Sequence, residues 1–143
     1  MSKIAIVFWS GTGNTEAMAN YIAEGVRSAG GDVEIFGPGN FTAGQLISFS
    51  AVALGCPAMG SEVLEESAFE PMFTALENSL SGKNIALFGS YGWGDGQWMR
   101  DWCARCNDAG ANLLDENGLI VNETPDADGE EACKELGKKL AAW

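Results

Sequence analysis

The chain of 143 residues contains no histidine, only 8 Lys plus Arg against 20 Asp plus Glu, and no apolar stretch of membrane-spanning length. Without histidine, no imidazole can act as a general base near neutral pH. A net charge of −12 with so few cations excludes nucleic acid as a partner, because a phosphate backbone would be repelled. No span of some twenty apolar residues is present, so a transmembrane helix is excluded. The chain runs into an apolar segment almost at once and shows no signal-peptide pattern, so a cytoplasmic location is expected. The acidity keeps a small protein soluble and suits transient, electrostatically steered docking onto basic protein surfaces.

Cysteine is also scarce. Of Cys56, Cys103, Cys106 and Cys133, only Cys103 and Cys106 suggest chemistry, in the segment Trp102-Cys103-Ala104-Arg105-Cys106. A thiol–disulfide site needs its first Cys exposed at a helix N-terminus, where the dipole lowers its pKa. Here Trp98, Met99, Trp102, Cys106 and Ala109 share one helical face, so the helix begins earlier. Cys106 falls in that stripe and Cys103 at its border, and both read as core filler.

What the chain does have is Ser10-Gly11-Thr12-Gly13-Asn14-Thr15, directly after the apolar run Ile4–Trp9. The run reads as a strand buried on both faces, and Thr15 to Ala29 reads as a helix. The first N–H groups of a helix lack internal partners, and its dipole favours negative charge there. Glycines let the backbone bend around a ligand, and hydroxyls and an amide can donate to it. The segment therefore reads as a phosphate cradle, one without Lys or Arg. It lacks the Lys of a nucleotide-triphosphatase loop, and Glu16 stands where a dinucleotide fingerprint has its third glycine. A neutral, hydroxyl-rich loop suits a single compact terminal phosphate.

Further apolar runs occur at Val33–Phe36, Ala51–Gly55 and Ile85–Phe88, with a weaker, split one over Asn112–Leu114 and Leu119–Val121. Helical patterns lie between them: Met18, Ile22 and Val26 at fourfold spacing, then Thr42–Phe49, Pro71–Leu80, Gln97–Ala109 and Asp128–Ala142. Alternating strands and helices predict a single α/β domain over residues 1–143, a parallel sheet with helices on both faces. Ligands in such sheets bind beyond the carboxyl ends of the strands. That rule selects the cradle, the loop Cys56-Pro57-Ala58-Met59-Gly60-Ser61-Glu62, and the loop Ser90-Tyr91-Gly92-Trp93-Gly94-Asp95-Gly96. Trp93, between glycines, can lie on a planar ligand, and Met59 can contact its opposite face.

At these three loops, in this order and spacing, the sequence resembles the short-chain flavodoxins. The resemblance covers essentially the whole chain and rests on Ser10–Thr15, Gly55–Glu66 and Leu87–Gly96. It implies a three-layer flavodoxin-like fold with a five-stranded parallel sheet in order 2-1-3-4-5. It also implies non-covalent FMN and a low-potential one-electron carrier that passes through a neutral semiquinone to an anionic hydroquinone. Carried onto this chain, Ser10, Gly11, Thr12, Gly13, Asn14 and Thr15 would hold the FMN phosphate. Trp93 would stack on the outer face of the flavin, and Met59 would pack near the inner one. Glu62 would accept from the flavin N3–H, and the backbone of Gly92, Trp93 and Gly94 would meet the pyrimidine edge. Pro57, Ala58, Gly60, Ser61, Ser90 and Tyr91 complete the implied binding set. Phe8, where related sequences often have Tyr, and Ser61, often Gly, Asn or Asp, depart from the pattern.

Glu62, Glu65, Glu66, Glu70 and Asp95 crowd the second and third loops, which hold no Lys or Arg. Such an acidic surround disfavours an anionic reduced flavin. In the family the central peptide of the Met59–Glu62 turn flips on reduction. A type II turn needs positive φ at Ser61, and the flipped form needs it at Gly60, where it is free. The pair is therefore expected to favour the flipped form. Basic-surfaced redox proteins, reductases or oxidoreductases, are the expected partners, and a monomer the expected state. The competing reading is a flavin-dependent NAD(P)H or quinone reductase on the same fold. Trp93 covers the space its second substrate would need, and no insertion builds a pocket. A phosphorylated receiver domain fails because Trp9-Ser10 and Gly55-Cys56 stand where it needs acidic residues.

Overall fold

The computed structural model describes residues 3–60 and 62–143. Its elements, in chain order, are β1 (Lys3–Phe8), α1 (Asn14–Ser28), β2 (Asp32–Phe36), two 3-10 segments (Pro38–Asn40 and Ala43–Ser48), β3 (Ala51–Gly55), α2 (Phe69–Glu77), β4 (Asn84–Tyr91), α3 (Gln97–Asp108), β5 (Asn112–Leu113), β6 (Leu119–Asn122) and α4 (Ala127–Ala142). All strand pairings are parallel, in the order β2-β1-β3-β4-β5. The fifth strand is split: β5 pairs with the start of β4 and β6 with its end, Phe88 to Leu119 and Tyr91 to Asn122. This is the expected sheet order, and the weak, divided apolar signal is a strand divided in space.

Residues in a strand alternate between faces, and β1 shows both faces buried. Ala5 and Val7 pack into a core with Phe69, Phe73, Trp98 and Trp102 of α2 and α3. Ile4 and Ile6 pack into a second core with Met18, Ile22 and Val26 of α1 and Leu136 and Leu140 of α4. The sheet is thus the middle of three layers. The helices α1 and α4 touch backbone to backbone: a Cβ at Gly25 would lie 2.0 Å from the carbonyl oxygen of Lys134, and one at Gly137 2.1 Å from that of Ile22.

The segment expected as a helix over Thr42–Phe49 is a 3-10 turn, closed by a capping box in which Gln45 accepts from the Thr42 N–H at 2.9 Å. Helix α2 starts at Phe69, two residues before Pro71. Proline in a first turn costs no hydrogen bond. Among the described residues no helix is long and apolar enough to cross a membrane.

Candidate functional site

A cleft of about 500 Å³ opens beyond the carboxyl ends of β1, β3 and β4. This is within the range of small-molecule and cofactor sites, roughly 300–1,000 Å³. From the first expected loop, Gly11, Thr12 and Asn14 line it; from the second, Pro57, Ala58, Met59 and Gly60; from the third, Ser90, Tyr91 and Gly92. Ser10, Gly13 and Thr15 are not among its lining residues. Gly13, at φ 96°, begins α1 in a left-handed conformation with no side-chain cap. Ser10 Oγ accepts from the N–H groups of Gly13 at 3.1 Å and Glu16 at 3.3 Å. Thr15 is buried, and its hydroxyl meets that of Ser90 at 3.0 Å, tying the first loop to the third.

Trp93, Gly94 and Glu62 lie outside the cleft lining. Trp93 is 64% exposed, a large flat side chain held in water by its loop. Gly94 has φ 86°, and a Cβ there would sit 2.0 Å from Glu62 Oε1, so the carboxylate lies directly against that backbone. Among the described residues Glu62 Oε1 is buried without a hydrogen-bond partner. Glu62 itself has φ 53°. Among the described residues of this turn, Glu62 is left-handed, and Gly60, expected to adopt that conformation in the flipped turn, is not. The turn closes with the Glu62 N–H donating to the Met59 carbonyl at 2.8 Å. Ser61, the other site residue expected there, lies outside the described residues.

Three lining residues escaped the sequence reading: Trp9, Glu123 and Thr124. The last two follow β6, so the carboxyl-end rule, applied to the split strand, would have found them. Thr124 Oγ1 donates to Asn14 Oδ1 at 3.0 Å, the Glu123 N–H donates to the Tyr91 carbonyl at 2.7 Å, and Glu123 has φ 56°.

The acidic surround is less bare than its loops suggested, because α3 supplies cations. Arg105 reaches Glu70 at 2.7 Å and Glu77 at 2.8 Å, and Arg100 reaches Asp95 at 2.9 Å. The Arg105 hydrogen bonds hold the Glu70 carboxyl below its ordinary pKa, against its partial burial. Burial pushes Glu65 up, but it is outweighed by donors from the Ser67 hydroxyl and the N–H groups of Phe69, Ser67 and Ala68, and its pKa falls to about 2. Glu62 and Glu123 have no ion-pair partner among the described residues. The cysteines are free and buried, and burial raises Cys103 to about 11 and Cys106 to about 12. Both thiols belong to the core, as their helical positions predict.

The flavodoxin family model matches residues 6–137. The chain is 51% identical over 138 residues to a flavodoxin of Megasphaera elsdenii, covering 96% of this chain and 98% of that protein. The chain belongs to the flavodoxin family. It is also 50% identical over 136 residues to a flavodoxin of Clostridium beijerinckii, covering 95% and 97% of the two chains. The solution structure of two-electron reduced Megasphaera elsdenii flavodoxin superposes with a TM-score of 0.89 over 98% of this chain and 99% of that one. Flavodoxins are electron-transfer proteins that carry FMN, and membership gives the chain that cofactor and that role, as a carrier rather than an enzyme.

The residues fit such a group. A cation-free loop at a helix N-terminus suits a phosphate that makes many hydrogen bonds. The unpartnered acceptor Glu62 Oε1 suits a ring N–H. Exposed Trp93 suits a planar ring system.

Proposed function

We propose that the chain is a low-potential one-electron carrier that exchanges electrons with basic-surfaced redox proteins in the cytoplasm and works as a single-domain monomer. Bound FMN supplies the one-electron chemistry. Ser10 through Thr15 hold its phosphate, with the Thr15–Ser90 hydroxyl pair at 3.0 Å bracing that loop. Trp93 covers the outer ring face, Met59 packs near the inner one, and Pro57, Ala58, Gly60, Ser61 and Tyr91 fill in the second and third loops. Glu62 accepts from N3–H, and the backbone of Gly92, Trp93 and Gly94 meets the same edge.

The observation that carries this reading is the one cleft bounded by all three loops at the carboxyl ends of β1, β3 and β4. Glu62 and Glu123, without ion-pair partners among the described residues, raise the cost of added negative charge beside it, which makes a reduced flavin a stronger donor.

The test is a visible spectrum of the purified protein followed by stepwise anaerobic reduction. A yellow protein that bleaches through two separate one-electron steps is expected. A single two-electron step, with NADH–quinone turnover by the isolated protein, would make it a reductase. A colourless protein that binds no added FMN would remove the assignment.

A further inference from the structure

Two buried side-chain polar atoms among the described residues have no hydrogen-bond partner, Glu62 Oε1 and Trp102 Nε1. One is an acceptor on the loop after β3, the other a donor on α3, and both side chains line one crevice of about 100 Å³. Trp102 is 1% exposed and cannot turn away: the rings of Phe69 and Phe73 meet it edge-on at 5.5 and 5.8 Å. Its neighbour Trp98 has no such need, because its Nε1–H donates to the Cys56 carbonyl at 3.1 Å. The other polar groups of the crevice are engaged: Arg105 with Glu70 and Glu77, and Asp101 with Gln97 Nε2 at 2.8 Å.

An indole N–H only donates and a carboxylate only accepts, whereas water does both. A water needs roughly 10–15 Å³ and at least two polar partners; the crevice has more than that space, and the two residues that carry the unpartnered atoms line it. We propose that Trp102 is a positioning residue for Glu62, acting through a water held in this crevice. The water accepts from Trp102 Nε1–H and donates to the Glu62 carboxylate. A carboxylate has about four acceptor sites, so others remain for the flavin N3–H. The left-handed backbone of Glu62, φ 53°, fixes where its side chain starts, and the bridge fixes where it ends. The inference rests on the proposed role of Glu62 toward FMN.

The test compares FMN with N3-methyl-FMN, which has no N3–H to offer. Trp102→Phe keeps an aromatic ring against Phe69 and Phe73 and removes the donor. It should weaken FMN binding about fivefold, the worth of one net hydrogen bond, and leave N3-methyl-FMN binding unchanged. In a Glu62→Gln background the same substitution should have little further effect, because the two residues act as one unit. Equal loss for both ligands would mean packing alone, and no loss would mean no bridge; either overturns the proposal. The native FMN-loaded protein gives a readout independent of the variant's folding. Its Trp102 indole N–H should show a water cross-peak by NMR and shift in Glu62→Gln, and absence of that cross-peak overturns the proposal. Native protein that binds the two flavins equally would remove the Glu62 reading itself. Native protein that prefers FMN, with the preference intact in Trp102→Phe, removes only the bridge.

Discussion

Glu65 shows how one side chain can hold a binding loop in place. It sits in the connection between β3 and α2, buried, and its two carboxylate oxygens accept from the Ser67 hydroxyl and from the N–H groups of Ser67 at 2.8 Å, Ala68 at 2.8 Å and Phe69 at 2.9 Å. It thereby satisfies N–H groups at the entry to α2, where a helix has no internal acceptors. Its own N–H donates to Cys56 Sγ at 3.4 Å, which ties the turn back to β3. Its folded pKa of about 2 lies below the ordinary 4.5, so its stabilisation is complete above pH 4.5 and is lost as pH falls through 2. Glu65→Gln should therefore be less stable than the native protein at neutral pH, and the difference should shrink as pH falls through that window. Denaturant midpoints of both proteins across that range test this; a constant difference would mean the charge is not what matters. The sequence showed Glu65 only as one acid in a crowd. Its role was hidden because the donors are backbone groups, which composition does not reveal.

At the scale of elements, the layer formed by α1 and α4 depends on two glycines inside helices. Glycine there costs roughly 0.5–1 kcal/mol relative to alanine, so in isolation Gly137→Ala would be stabilising. The structure reverses that sign. A Cβ at Gly137 would lie 2.1 Å from the Ile22 carbonyl oxygen and 2.8 Å from the Val26 amide nitrogen, both backbone atoms that cannot swing aside. Gly137→Ala should cost about 1–3 kcal/mol or more through overpacking, read as a lower denaturant midpoint with little change in slope. A neutral or stabilising result would mean the helices separate easily. The elements themselves were largely legible. Ala51–Gly55 is found as expected, α1, α3 and α4 begin or end within a residue of their patterns, and the split apolar run became β5 and β6. Glycines that join helices were not legible, since a glycine inside a helical pattern looks only like a weak point. The cleft was legible where its loops carry glycine and aromatic residues. It was not legible at Glu123 and Thr124, which lie about 110 residues from Asn14 in sequence and meet it only once the sheet has formed.

For the whole molecule, charge decides how it meets a partner. The net charge is −12, and its few cations are largely committed. Lys3, Arg100, Arg105, Lys134 and Lys138 all sit in ion pairs with acids of the same chain, five of the 8 Lys plus Arg. Most of these pairs are exposed, so they add little stability. What they do is remove positive ends from the surface, leaving a field of one sign around a cleft lined by Glu123, which, like Glu62 outside that lining, has no ion-pair partner among the described residues. Such a field steers a basic partner and raises its association rate by roughly 10- to 1,000-fold at low salt. Screening removes it, since the Debye length falls from about 30 Å at 0.01 M to about 3 Å at 1 M. Stopped-flow oxidation of the FMN-loaded, reduced protein by a basic haem protein should therefore slow steeply as salt rises over that range. Oxidation by a small neutral acceptor should hardly change, because there is no opposite charge to screen. If both rates respond alike, salt acts on the cofactor site rather than on encounter. If neither responds, the acidity serves solubility, and recognition rests on the shape and exposed ring of Trp93 at the cleft's edge.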